Sequence, residues 1–240
     1  MSGKIPVLEI FGPTIQGEGM VAGQKTMFVR TGGCDYRCAW CDSAFTWDGS
    51  QKATPMNAST IMEELERIGG ERFSHVTISG GNPALHTGIA ALVKLFQEKG
   101  IASAVETQGS FWQDWLLAVD EVTVSPKPPS SKMGTDWSRL DTFMKRLAEE
   151  QAGHHSLKVV IFDEKDLAYA TQVHERYPDV PFYLQVGNDD LEALEPARLR
   201  DHLLEKYEWL VAKVMEESQL NDVRVLPQIH ALLWGNKQGV

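Results

Sequence analysis

Cysteine is scarce in this chain: its 240 residues hold three, Cys34, Cys38 and Cys41, crowded into one short segment. An odd number packed that closely makes no disulfide framework. Long apolar runs are also missing. No stretch of about 18 hydrophobic residues occurs, which excludes a membrane-spanning helix. The opening MSGKIPVLEIFG has one Lys and lacks the apolar core of a secretory leader, so the cytoplasm is the expected location. Positive charge is in short supply, with 23 Lys and Arg against 33 Asp and Glu and a net charge of −10. That balance argues against nonspecific nucleic-acid or anionic-membrane binding. No repeat, linker or charged tail divides the sequence. What is present, 42% hydrophobic and 23% charged residues, suits a well-buried core, and residues 1–240 are expected to form one domain.

Short apolar runs alternate with amphipathic stretches. Strands are predicted at Val7–Ile10, Met27–Arg30, Val76–Ser79, Ser103–Glu106, Val122–Ser125, Leu157–Phe162, Phe182–Val186 and Val223–Leu226. Several of these are apolar on successive residues, as in a parallel sheet covered by helices. Among the helices, Thr60 and Glu63 are placed for a capping box ahead of Ile61, Leu65 and Ile68. Leu85, Ile89, Leu92, Val93 and Phe96 form a second stripe, and Asp163 can cap a third helix carrying Leu167 and Val173. The longest helix is predicted from about Pro196 to Glu217, with Leu199, Leu203, Leu204, Tyr207, Leu210, Val211 and Val214 on one face. Repeated strand–helix units point to a mostly parallel α/β sheet, open or curled into a partial or full TIM-like barrel. Its chemistry is expected beyond the C-terminal ends of the strands.

The strand ending at Arg30 runs into TGGCDYRCAWCDSAFTWDG, a loop at about 31–47. Three thiolates at CxxxCxxC spacing can hold three irons of a 4Fe–4S cubane and leave the fourth iron open. Zinc is the other reading, but structural zinc takes four protein ligands and no His lies in this loop. The spacing resembles the signature of the radical S-adenosylmethionine (radical SAM) superfamily. In that family the nucleotide's amino and carboxylate groups chelate the open iron, and electron transfer releases a 5′-deoxyadenosyl radical. An aromatic commonly precedes the last cysteine there; here Trp40 does, and an indole can equally serve loop packing.

The other strand ends carry polar or Gly-rich segments. SGGNP follows Val76–Ser79, where Gly80 and Gly81 permit close backbone approach or an ordinary turn. It resembles the superfamily's GGE segment, with Asn82 in place of the usual Glu. Glu106 and Gln108 in VETQG would face ribose or substrate, and Lys127 in SPKPP sits beside Ser125 in a proline-stiffened loop. Near the N-terminus, Gln16 and Glu18 lie in QGEG. A carboxylate can accept paired bonds from a 2-amino-pyrimidinone edge while an amide meets the neighbouring carbonyl; a hairpin turn with exposed polar groups is the alternative. Arg30 offers a fork for a substrate carboxylate, or else a surface ion pair.

Taken in order, IQGEG, FVR, CxxxCxxCDS, SGGNP, ETQG, SPKPPSSKM, QVGND and GNKQGV resemble the 7-carboxy-7-deazaguanine synthase family, particularly its Bacillus-type members, over essentially the whole chain. The resemblance implies a shortened or distorted β/α barrel, a homodimer and a flavodoxin- or ferredoxin-type electron donor. It implies conversion of 6-carboxy-5,6,7,8-tetrahydropterin to 7-carboxy-7-deazaguanine with loss of ammonia, on the route to queuosine. S-adenosyl-L-methionine acts catalytically, its radical abstracting the C6 hydrogen before ring contraction, and Mg2+ assists by binding the substrate. By position, Cys34, Cys38 and Cys41 would hold the cluster, and Trp40, Cys41, Asp42, Gly81, Ser125, Pro126 and Lys127 the nucleotide. Ile15, Gln16, Gly17, Glu18, Arg30, Ser79 and Val240 would line the substrate, with the C-terminal segment closing the site. The magnesium hydroxyl after CD would be Ser43, where many members have Thr. A small radical SAM enzyme of another kind, such as a glycyl-radical activase, would leave QGEG and Arg30 unexplained; a non-catalytic metal-binding module is the alternative of a different class.

Overall fold

The computed structural model describes residues 3–150, 154–193 and 195–240. Its strands are β1 (Ile5–Ile15), β2 (Lys25–Thr31), β3 (Thr54–Met56), β4 (His75–Gly80), β5 (Ala102–Thr107), β6 (Glu121–Val124), β7 (His155–Ile161), β8 (Phe182–Val186) and β9 (Arg224–Leu226). The α-helices are α1 (Ala58–Gly69), α2 (Ile89–Lys99), α3 (Trp137–Glu150), α4 (Glu164–Arg176), α5 (Pro196–Glu216) and α6 (Ile229–Trp234). The strands make one sheet in the order β3-β1-β2-β4-β5-β6-β7-β8-β9. From β2 onward every neighbour is parallel, while β1 runs antiparallel to both β2 and β3. Each new parallel strand is added on the same side of the last, so the strand order never reverses and no doubly wound switch point arises. The sheet keeps two edges, β3 and β9, and is an open, partial barrel rather than a closed one.

The strands alternate more strictly than their sequences suggest. Met27, Val29, Val76, Ile78, Val105, Val122, Val124, Leu157, Val159, Ile161, Phe182, Leu184 and Val186 share one core with α1 to α5. Residues of the opposite parity, among them Arg30, Ser79, Glu106 and Lys158, line a cavity on the other face. A two-residue period thus sorts each strand into a helix-packed side and a polar concave side.

Several expectations are corrected at this level. Helix α1 has no Thr60–Glu63 capping box. Asn57 is its N-cap, its side chain accepting the Thr60 N–H at 2.8 Å, and the helix starts earlier than predicted. Leu204 does not join the buried face of α5 but is 45% exposed, and Leu85 lies in a one-turn 3-10 helix ahead of α2. Helix α3 and the short edge strand β3 were not among the predicted elements. The Asp163 cap of α4 is present, accepting from Lys165 and Asp166 N–H. Among the described residues no helix is long and apolar enough to cross a membrane.

A second, smaller core of Leu199, Leu203 and Ala231 joins α5 to α6. It brings the C-terminal segment across the open side of the sheet. There Asn188 Nδ2 donates to Asn236 Oδ1 at 2.8 Å, and Gln238 bonds Glu9 of β1.

Candidate active site

One cavity of about 380 Å³ lies on the concave face, at the C-terminal ends of the parallel strands. The loop after β2 carries the three cysteines, all free, half-buried and lining this cavity. N–H groups already point at two sulfurs. Tyr36 N lies 3.4 Å and Gln108 Nε2 3.7 Å from Cys34 Sγ, and Trp47 Nε1 lies 3.4 Å from Cys41 Sγ. Burial pushes the Cys38 thiol up to about 11, against the pull of Lys127. A metal centre that binds here must therefore displace protons, as thiolate ligation requires.

The arrangement fits a cluster better than a single ion. Among the described residues, the group of three His, Cys, Asp or Glu whose ligand atoms all lie within 4.8 Å of one another is Glu18, Asp42 and His230. The three cysteine sulfurs are not such a group, so they do not all sit as close together as one tetrahedral ion would need. Three soft donors, two of them accepting N–H···S bonds, are the donor set of a site-differentiated cubane. In the Glu18–Asp42–His230 group, Glu18 already accepts from the Lys158 ammonium and from Gln228, so a cation there would compete with a fixed positive charge.

The cluster loop is clamped from two sides. Asn82 and Gln108 hold its Asp35, with Asn82 Nδ2 at 2.8 Å and Gln108 Nε2 at 2.6 Å from Asp35 Oδ1. Asn82 is fully buried, and its own oxygen accepts from Thr107 Oγ1 and Ala84 N. It therefore ties the loop to β5 instead of lining the cavity. A Cβ on Gly81 would come within 2.1 Å of Gly33 O, so the close approach that demands glycine here is to the cluster loop's own backbone. From the other side, Ala39 N donates to Ser131 O at 3.0 Å and Trp40 Nε1 to Ser130 Oγ at 2.9 Å. Trp40 packs on Phe162, and the Lys127 ammonium lies 6.0 Å from its ring.

Most residues singled out from the sequence meet in this cavity: Ile15, Gln16, Gly17, Glu18, Arg30, Trp40, Asp42, Ser43, Ser79, Gly81, Lys127 and Val240 all line it, as do Glu106 and Gln108. Ser125 and Pro126 are buried and do not. Ser125 Oγ instead accepts from Lys127 Nζ at 3.0 Å. QGEG does belong to a hairpin connection, between β1 and β2, but its polar groups turn inward. Gln16 Oε1 accepts from Gly17 N and Glu18 N, which leaves the amide NH2 for a ligand. Arg30 makes its ion pair, Nε to Glu9 Oε2 at 2.8 Å, and is only 17% exposed. Its guanidinium lies between the Phe11 and Phe45 rings and donates to Ser43 Oγ at 3.0 Å. Ser43 donates in turn to Asp42 Oδ1 at 3.1 Å.

The polar groups that surround Glu18 were not anticipated: Lys158, Gln228 and His230. Lys158 Nζ donates to Glu18 Oε2 at 2.5 Å and Glu106 Oε2 at 2.7 Å. Gln228 Nε2 donates to Glu18 Oε1 at 2.7 Å. Burial alone would raise the Glu18 carboxyl, but Lys158 and His230 outweigh it and hold it down at about 2. Glu18 is thus a fixed negative charge in the cavity. A lysine inside the apolar run LKVVIF was a legible signal of a buried ion pair; nothing in PQIH marked Gln228 or His230.

Comparison with known proteins agrees with this geometry. Residues 28–127 match the family model described as the Radical SAM superfamily. The 7-carboxy-7-deazaguanine synthase of Bacillus cereus is 62% identical over 239 residues, covering 99% of both chains. That of Bacillus subtilis is 60% identical over 243 aligned positions, covering 100% of both. The crystal structure of QueE from Escherichia coli shares the fold with a TM-score of 0.69 at 22% identity, covering 95% of each chain.

Proposed function

The chain belongs to the 7-carboxy-7-deazaguanine synthase family of the radical SAM superfamily, and from that premise we propose that its cavity converts 6-carboxy-5,6,7,8-tetrahydropterin to 7-carboxy-7-deazaguanine and ammonia. The protein is a radical SAM enzyme of 7-deazapurine biosynthesis. One observation carries the substrate assignment: the three thiols and the set Gln16, Glu18 and Arg30 surround a single cavity of about 380 Å³. A 4Fe–4S cluster with S-adenosyl-L-methionine on its open iron supplies, when bound, the one-electron cleavage that no side chain can perform.

The chain's own residues bind, orient and exclude water. Cys34, Cys38 and Cys41 hold the cluster. The nucleotide would lie along Trp40–Asp42 on one wall and Lys127 on another, with Ser125 and Pro126 buried behind that wall and Ser125 accepting from the Lys127 ammonium. Gly81 N–H is already donated to Thr31 O, which leaves the Gly81 carbonyl as acceptor for the methionine amino group. On the substrate side, Glu18 accepts from the 2-amino-pyrimidinone edge and the Gln16 NH2 meets the ring carbonyl. Arg30 faces the carboxylate, while Ile15, Gly17, Ser79 and Val240 complete the wall. Ser43, whose hydroxyl keeps one lone pair free, would hold Mg2+, which would supply charge neutralisation for the substrate carboxylate. Burying these charges together fixes C6 in one orientation, the larger part of what a side-chain site can contribute to a radical step.

The continuous nine-stranded sheet supports reading residues 1–240 as one domain, with its cluster loop at about 31–47 and the C-terminal segment closing the site. A cytoplasmic homodimer reduced by a flavodoxin- or ferredoxin-type protein completes the proposal. The test is an anaerobic turnover of the reconstituted enzyme with the carboxytetrahydropterin and a chemical reductant. Equimolar ammonia and 7-carboxy-7-deazaguanine are expected. Nucleotide cleavage without either product would refute the substrate assignment.

A further inference from the structure

Lys158 has no role in the assignment above, yet it is the most deeply buried charge in the cavity wall, with 1% of its side chain exposed. It stands on β7 between Leu157 and Val159, which face the helix core. Its ammonium meets carboxylates from two distant elements: Glu18, in the β1–β2 connection, and Glu106, near the end of β5. The two acceptor oxygens lie 2.5 and 2.7 Å from one nitrogen, so they are within about 5 Å of each other. At that separation two carboxylates repel each other strongly unless a cation lies between them. His230 Nε2 stands 3.9 Å from Glu18 on the other side and does not touch Glu106.

The two carboxylates are both ligand-facing. Glu18 lies in the substrate wall. Glu106 is 31% exposed, and among the described residues its one hydrogen bond is to Lys158, so Oε1 remains available to the cavity. Strand β5 lies between β4, which carries Ser79 and leads to Gly81, and β6, which leads to Ser125–Lys127.

We propose that Lys158 is a positioning residue: it holds Glu18 and Glu106 side by side as two ionised acceptors and so tunes the cavity to a ligand edge rich in N–H donors. The identity of that ligand as the carboxytetrahydropterin rests on the function proposed above. Burial would lower the lysine's own affinity for a proton, but Glu106 and Glu18 outweigh it and raise its pKa, so the cation persists at any working pH. Replacing it with an apolar group of similar length leaves two carboxylates facing each other with no cation between them. One must then take a proton at neutral pH, and the array of two ionised acceptors is lost.

Two readouts on anaerobically reconstituted protein test this. The first needs no ligand: infrared difference spectra at neutral pH. Lys158→Met is expected to show a protonated-carboxyl band absent from the unsubstituted enzyme, and Lys158→Met/Glu106→Gln should lose it again. The second is the equilibrium Kd of the carboxytetrahydropterin, measured by calorimetry. Lys158→Met should weaken it at least tenfold, while the double variant, relieved of the repulsion, should recover most of that loss. A merely structural lysine would lower the melting temperature of both variants alike and give neither the band nor the recovery. No new band in Lys158→Met, or a double variant as weak as the single, overturns the inference. Failure of the unsubstituted enzyme to bind the pterin would refute the substrate assignment instead, and the infrared result would still decide the role of Lys158.

Discussion

At the residue scale, several polar groups of the site are held by protein neighbours while a lone pair or N–H stays free for a ligand. Ser43 shows this. Its hydroxyl accepts from Arg30 and donates to Asp42, so one lone pair remains for a hard cation. Ser43→Ala should lower turnover in magnesium on the order of tenfold to a hundredfold with iron content unchanged, and Ser43→Thr should keep most activity. Titrating magnesium against each variant measures this. Equal turnover in Ser43→Ala and in chelator-treated unsubstituted enzyme, both at the full rate, would remove the bridging cation from the scheme. Asn82 makes a second case. A carboxylate in its place would face Asp35, to which its amide now donates at 2.8 Å. Asn82→Asp should cost about 2 kcal/mol and slow iron incorporation, and Asn82→Asp/Asp35→Asn should restore both. A single variant that melts and loads like the unsubstituted protein would show the clamp is dispensable.

At the scale of elements, the cavity is closed by pieces remote in sequence. The QGEG connection and α6 are one such pair: Ile229 N donates to Gly17 O at 3.1 Å, and a Cβ on Gly17 would lie 2.2 Å from His230 Nδ1 and 2.9 Å from its backbone N. Relief requires α6 to move, since backbone is among the obstructions. Gly17→Ala should therefore lower kcat/KM on the order of 100-fold while the main core, which excludes α6, melts nearly as before. Loss of folding without a functional protein to assay would contradict this separation of lid from core. The elements were unevenly legible. Strand β8 matches its predicted bounds, Phe182–Val186, because a short, mostly apolar and aromatic run is bounded by Pro181 and Gly187. Helix α3 carries Leu140, Phe143, Met144 and Leu147 at helical spacing, so its signal exists but follows a loop rich in Pro and Ser that masks where it starts. Edge strand β3, TPM, has only three residues and two exposed positions, and its pairing with β1 comes from tertiary context rather than local pattern.

At the scale of the molecule, the apolar core and the cluster loop are separable. The core joins the helix-packed face of the sheet to α1–α5, and none of its residues is a cysteine. Cys38→Ala should therefore keep its fold by circular dichroism while losing iron and nucleotide cleavage. Full iron content and cleavage in that variant would refute the cluster assignment, and an unfolded variant would point to a structural metal. The same division explains what could be read in advance. Cysteine spacing and the Gly-rich strand ends are local signals, so the cluster loop and most of the cavity wall were visible in the sequence. Lys158, Gln228 and His230 reach Glu18 only because β7 and α6 pack against a loop from the other end of the chain, a relation no local spacing records.

On the proposed function, a cavity that presents C6 of the pterin to the nucleotide, and returns the nucleotide intact, must pass hydrogen between the two. Mass spectrometry of S-adenosyl-L-methionine recovered after many turnovers of C6-deuterated substrate tests this most directly. Deuterium is expected in the recovered nucleotide, at its 5′ position, with the nucleotide pool undiminished by product formation. Unlabelled nucleotide, consumed one for one with product, would contradict the account.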